Sequence, residues 1–175
     1  GQLITNKIFA DGNIDKDQTV SDVINDILKI AVVNRYNEAK VAVGFVKGFG
    51  LRKGAIASSV AHDSHNIIAV GVTDSDLCKA VNAVIKYKGG ISVIEGENED
   101  VLPLPVAGIM SAEDGYEVAT SYSHLDTKAK KLGSTLSAPF MTLSFMGLLV
   151  IPALKLSDKG LFDGKNFKFT NIWTE

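Results

Sequence analysis

The 175-residue chain has a single cysteine, Cys78. An internal disulfide framework is therefore excluded, and one reduced thiol fits the cytoplasm. Cys78 falls inside a predicted helix, where it reads as a buried small hydrophobe rather than a reactive thiol. Basic residues are not clustered. Eighteen Lys and Arg against 20 Asp and Glu leave a net charge of −2, so nucleic acid is not expected as a main partner. Long apolar runs are missing too. The longest, around residues 143–154, is broken by Ser144, Gly147 and Pro152 and is too short to span a membrane, so no membrane partner is expected. Residues 1–18 are polar and lack the apolar core of a signal peptide. No internal repeat or low-complexity tract is visible. Histidine is scarce as well, with three in the chain: His62, His65 and His124.

What remains is the composition of one globular domain of ordinary size, 46% hydrophobic and 22% charged, long enough to bury a substantial core. Residues 1–18 read as an irregular leading segment or short strands, with a turn at Asp11-Gly12-Asn13. Thr19 and Asp22 form a variant capping box, and Val20, Val23, Ile24, Ile27, Leu28 and Ala31 recur at helical spacing, which predicts a helix ended by Asn34-Arg35-Tyr36-Asn37. A strand is expected over 41–46. Gly48 and Gly50 then flank Phe49 in a connection that reads as a tight turn rather than a phosphate cradle.

The second strand, 54–61, has small side chains at Ala55, Ala57, Ser58, Ser59 and Ala61, leaving room for a helix, a sheet or a ligand to pack close. A third strand is expected over 67–72. Thr73-Asp74-Ser75-Asp76 caps a helix whose apolar face is Leu77, Ala80, Val81, Val84 and Ile85, ended by Gly89-Gly90. Residues 91–94 form a strand, and 95–100 an acidic hairpin turn whose spacing does not match a calcium loop. Residues 101–106, with Pro103 and Pro105, make an edge strand or an irregular crossing.

Ser111 is the expected N-cap of a long amphipathic helix carrying Val118, Tyr122, Leu125, Ala129 and Leu132 and stopped at Gly133. His124 sits beside that stripe as a surface or half-buried histidine. Residues 139–146 are a buried helix or a strand, which periodicity does not decide. Pro152 ends an element containing Leu148-Leu149-Val150-Ile151. Asp158-Lys159-Gly160 is a turn, and 167–170 a terminal strand. Paired strands with helices between them indicate an α+β fold, a mostly antiparallel or mixed sheet with helices packed on it.

Between the second and third strands lie five polar residues in a row, His62-Asp63-Ser64-His65-Asn66. Such a knot between buried strands is costly unless each group finds a partner. His and Asp serve proton transfer, metal ligation and base recognition. The same residues also make ordinary Asx and Ser turns, and pattern alone favours the turn. Two histidines do not make a zinc site, which needs three or four ligands.

The segments Gly48-Phe49-Gly50-Leu51 and Lys53 through Asn66 resemble the bacterial and archaeal adenine deaminases of the amidohydrolase superfamily. So do Leu102 through Ser111, Pro139 through Phe145, and Leu156 through Leu161, in the same order. All of them fall in the C-terminal part of those enzymes.

The resemblance implies that residues 19–175 are the adenine deaminase C-terminal domain, without the parent's metal-binding barrel. It implies a parent hydrolase in adenine catabolism and purine salvage that turns adenine into hypoxanthine and ammonia. It also implies a two-metal site of manganese or iron on the N-terminal barrel, with no cofactor expected in this stretch. This sequence has no His-x-His and too few histidines for that ligand set. It also lacks the H-x-E and P-C-x-x-C pair of the zinc deaminases.

The partners expected are therefore the N-terminal barrel of the same enzyme, adenine, and further copies in a homo-oligomer. His62, Asp63, Ser64, His65 and Asn66 are the candidate substrate-binding or lid residues. No certain catalytic or metal-ligating residue is expected in this stretch, and the domain by itself is expected to be inactive. The alternative is a structural or oligomerisation module, with the apolar stretch 140–151 as its interface if exposed. A free-standing metal or purine sensor built on His62 and His65 ranks last.

Overall fold

The computed structural model describes residues 4–174. In chain order the elements are β1 (Ile14–Asp15), β2 (Gln18–Thr19), β3 (Ile27–Val33), β4 (Ala42–Lys47), β5 (Ala55–Ser58), β6 (Ile67–Gly71), α1 (Asp74–Lys86), β7 (Gly90–Glu95), β8 (Asn98–Pro103), α2 (Gly115–Lys131), α3 (Pro139–Phe145), β9 (Leu154–Ser157), β10 (Gly160–Asp163) and β11 (Lys168–Phe169). Six strands form the central sheet in the order β4-β3-β6-β5-β7-β8, and every neighbouring pair is antiparallel. A three-stranded sheet, β11-β10-β9, and the β1–β2 hairpin complete an α+β fold.

Both faces of the central sheet are covered, which explains why β5 and β6 read as continuous apolar runs rather than alternating ones. On one face Ala55, Ala57, Ile67, Ala69 and Ile94 pack against Leu77, Ala80, Val81, Ala83 and Val84 of α1. The small side chains of β5 thus admit a helix. At Gly71 a Cβ would lie 2.6 Å from the Cβ of Ala55 and 3.0 Å from Cγ of Leu77, so only glycine fits under α1 there. On the other face Ile30, Val32, Ile56, Ile68, Val70 and Val93 meet Leu125, Ala129 and Leu132 at the end of α2 and Phe140, Leu143 and Met146 of the α3 region. Complete burial of Ile56, Ile68 or Val70 stabilises the fold by about 1.5–3 kcal/mol each. Leu156 of β9 joins this second core, and its N–H donates to the Met146 carbonyl at 3.0 Å.

Several expectations need correction. The helix predicted from Thr19 is absent. Residues 27–33 are instead strand β3, entered through a tight turn in which Asp22 and Ile27 exchange backbone hydrogen bonds and Ile24 is 96% exposed. The turn near the start sits at Lys16 and Asp17, both with left-handed φ, and not at 11–13. Asp114, not Ser111, caps α2 by accepting from the N–H groups of Tyr116 and Glu117. Residues 148–151 are turns rather than a regular element. Cys78 is on α1 as expected but exposed, not buried.

Residues 139–145 are helical, with Pro139 at the start of α3. The expected β5–β6 hairpin forms, closed by residues 59–66. The acidic hairpin forms, but its turn is only 96–97, since Glu95 belongs to β7 and 98–100 to β8; its charges meet cations, Glu95 with Lys53, Glu97 with Lys79 at 2.6 Å and Glu99 with Lys86 at 3.4 Å. β8 is an edge strand that ends at Pro103, and 104–106 beyond it are an irregular crossing with Pro105. His124 lies on the surface, its Nε2 3.5 Å from Asp100, which also receives Lys128 at 2.7 Å. No helix among the described residues is long and apolar enough to cross a membrane.

Candidate functional site

The β5–β6 connection is held by its backbone and by neighbours far away in sequence. His62 donates its backbone N–H to the Ser144 carbonyl of α3 at 3.1 Å, and its ring lies against Phe145, centroids 4.6 Å apart. His65 donates its N–H to the Ala61 carbonyl at 2.7 Å, closing a one-turn loop, and takes a left-handed φ of 51°. Asn66 is 3% exposed, and its Oδ1 accepts from the Arg35 backbone N–H at 3.1 Å. These bonds satisfy the polar backbone that burial would otherwise penalise.

The side chains divide. Asn66 turns inward and is structural. Asp63 and Ser64 are exposed, and His62 and His65 are half-buried, with ring centroids 6.3 Å apart. Among the described residues, the side chains of His62 and Asp63 make no hydrogen bond or ion pair, and His65 Nδ1 is buried without a partner. The five candidates therefore share one loop, but only His62, Asp63, Ser64 and His65 offer side chains to a ligand. An imidazole can donate and accept, a carboxylate accepts, and a hydroxyl does both, which suits the mixed edge of a heterocycle. The two rings have no third ligand: among the described residues, no three His, Cys, Asp or Glu side chains come together.

Sequence reasoning missed Arg35. Its side chain lies between the 62–66 loop and the loop that follows β8. Nε donates to the His65 carbonyl at 2.9 Å, one terminal nitrogen to the Ala107 carbonyl at 2.8 Å, and the other to the Tyr36 hydroxyl at 3.0 Å. That hydroxyl in turn donates to the Ser64 carbonyl at 2.8 Å. No local pattern announces them, because apart from the Arg35–Tyr36 bond between neighbours these contacts join residues 28 to 72 positions apart.

The Gly48–Gly50 connection is a closed turn. Asp26 accepts from the Gly48 N–H at 3.0 Å and from the Gly50 N–H at 2.8 Å, so its own carboxylate occupies the place an anion would take. The 140–151 stretch is divided between core and surface. Phe140, Leu143 and Met146 are in the core, while Met141 and Val150 are exposed.

Comparison with known proteins supplies the family. The chain is 54% identical over 175 residues to an adenine deaminase of Methanosarcina acetivorans, covering all of this chain and 32% of that protein. It is 63% identical over 145 residues to one of Sulfurovum sp., covering 82% of this chain and 27% of that protein. It is 55% identical over 176 residues to one of Salinibacter ruber, covering 99% of this chain and 32% of that protein. The chain thus spans about a third of the length of these curated relatives. A sequence model described as the adenine deaminase C-terminal domain matches residues 2–168, nearly the whole fold. The chain belongs to the adenine deaminase C-terminal domain family.

Proposed function

We propose that this chain is the C-terminal part of an adenine deaminase and that its 62–66 loop faces the substrate. The reaction adds water to adenine and releases hypoxanthine and ammonia. The hydrolytic centre, a two-metal manganese or iron site of the amidohydrolase type, lies on an N-terminal barrel outside this chain. The part left to this domain is binding and orientation: His62 and Asp63 hydrogen-bond the purine, and Ser64 and His65 shape the surface around it. With the barrel as covalent partner go a homo-oligomeric assembly and a cytoplasmic setting.

One observation carries this reading. A loop whose backbone is tied down on three sides holds an exposed Asp63 and a half-buried His62 whose side chains have no hydrogen-bond or ion-pair partner among the described residues. Asn66 is used structurally, its side chain bonded to the Arg35 N–H, whereas the side chains of His62 and Asp63 stay available to a partner. The reading of a structural or oligomerisation module would draw on the 140–151 stretch, where Phe140, Leu143 and Met146 are core while Met141 and Val150 are exposed.

The test is His62→Ala and Asp63→Ala in the full-length protein that carries this chain. Losing one hydrogen bond to the substrate lowers kcat/KM about tenfold, at an unchanged thermal midpoint. Unchanged kcat/KM in both variants overturns the proposal. Adenine turnover by the 175-residue chain alone, abolished by His62→Ala, would instead move the chemistry onto this domain.

A further inference from the structure

We propose that Arg35 is a positioning residue that joins the 62–66 loop and the 104–110 loop into one substrate-facing surface. This rests on the reading that the 62–66 loop faces adenine. It adds a second loop to that surface and names the residue that sets both.

The geometry is specific to a guanidinium. Three of its donors reach three acceptors on three segments: the His65 carbonyl, the Ala107 carbonyl and the Tyr36 hydroxyl. A lysine ammonium is a point charge without this planar fork and does not span the same acceptors. The Arg35 backbone contributes too, because its N–H is bound by Asn66 Oδ1. One residue therefore grips both the last polar side chain of the loop and the carbonyl before it.

The second loop is shaped to receive the guanidinium. Val106 and Met110 exchange backbone hydrogen bonds at 2.9 and 3.0 Å, pinching the segment between them. Ala107 and Gly108 both take left-handed φ, 55° and 77°, which turns the Ala107 carbonyl toward Arg35. A Cβ at Gly108 would lie 1.5 Å from an Arg35 terminal nitrogen, so the side chain occupies the space that glycine leaves. Val106, Met110 and Tyr36 are 42%, 52% and 60% exposed beside the clamp. The two loops that Arg35 joins thus carry exposed apolar groups on one and the polar side chains of His62 and Asp63 on the other, the combination that a flat heterocycle with polar edges requires.

The experiment uses Arg35→Ala, Arg35→Lys and Tyr36→Phe in the full-length protein, with and without His62→Ala. Two readouts are taken, amide hydrogen exchange and adenine turnover. Arg35→Ala is expected to speed exchange at least tenfold in both loops while α1 and β7 are unchanged, and to lower kcat/KM at least tenfold. Arg35→Lys restores the charge but not the fork and stays within threefold of Arg35→Ala. In the His62→Ala background Arg35→Ala has little further effect, because it acts through the same loop.

Unchanged exchange in the two loops overturns the clamp. Fully additive losses, or full recovery with Arg35→Lys, overturn the positioning role. Faster exchange with unchanged kcat/KM keeps the clamp but defeats the reading that the loop faces substrate. If Arg35→Ala does not fold, Tyr36→Phe decides, since it removes only the hydroxyl bonded to Arg35 and to the Ser64 carbonyl. It is expected to lower kcat/KM threefold or more, and no change there defeats the proposal.

Discussion

Ser59 donates its hydroxyl to the Gly108 carbonyl at 2.5 Å. The same oxygen accepts the Gly90 N–H at 2.8 Å. One fully buried side chain thus ties the end of β5 to the start of β7 and to the loop that Arg35 grips from the other side. The sequence offered Ser59 as one small residue in a row of small residues, and its value lies in the two partners.

Ser59→Ala removes this junction and leaves a buried N–H and a buried carbonyl without it. The expected loss is about 1–3 kcal/mol of unfolding free energy. Urea denaturation checks this: the midpoint moves down with an unchanged slope. A loss under a few tenths of a kcal/mol would mean that other groups take over both bonds.

Asp26 makes a comparable contribution on the surface. Its two oxygens hold the Gly48 and Gly50 N–H groups, and its own backbone φ of 55° suits an aspartate in a turn. Asp26→Ala is expected to cost about 1–2 kcal/mol, because hydrogen bonds to a charged acceptor are stronger than neutral ones. Asp26→Asn keeps the turn geometry and one acceptor, so it falls between Asp26→Ala and wild type. Equal stability of all three proteins in urea would show that the turn closes without the carboxylate.

Much of the architecture was legible because it is local. The α1 cap at Thr73, the apolar stripe of α2, the 67–71 run and the turn at 158–160 are each written in neighbouring residues. The failure at 19–31 has a physical cause. Val20, Val23, Ile24, Ile27, Leu28 and Ala31 match a helix, but Leu28, Ile30 and Val32 also alternate, and all three of the latter are buried. The polar cluster Ser21-Asp22 and Asn25-Asp26 forms a turn, with Asp22 accepting from the Asn25 N–H and side-chain amide. A turn there leaves β-branched residues to join a sheet. The five candidate residues could be singled out because they are adjacent in sequence. Arg35 and Gly108 could not, since their meaning lies in contacts across the fold.

Cys78 offers a direct check on one of these corrections. It lies on the outer side of α1 and is exposed. A thiol so placed reacts with a disulfide reagent in the native state. One equivalent is expected to titrate in the folded 175-residue chain without denaturant, at a rate within about tenfold of that in urea. A thiol that reacts only after unfolding would return Cys78 to the core.

Lys155 makes stability depend on pH. It sits on β9 and is 2% exposed, and burial pulls its ammonium down to about 8 from the ordinary 10.5. Below pH 8 the folded and unfolded chains both hold the proton, and Lys155 adds no slope to the stability. Between about pH 8 and 10.5 the unfolded chain binds more protons than the folded one, so stability rises with pH across that window. Other groups titrate there as well, so the informative quantity is the difference between wild type and Lys155→Met. At about 1.4 kcal/mol per tenfold change in proton affinity, wild type should gain at most roughly 3 kcal/mol on the variant between pH 7.5 and 10.5. Urea unfolding of both proteins across that range measures it. A difference that stays flat would mean that the ammonium keeps its ordinary proton affinity in the folded chain.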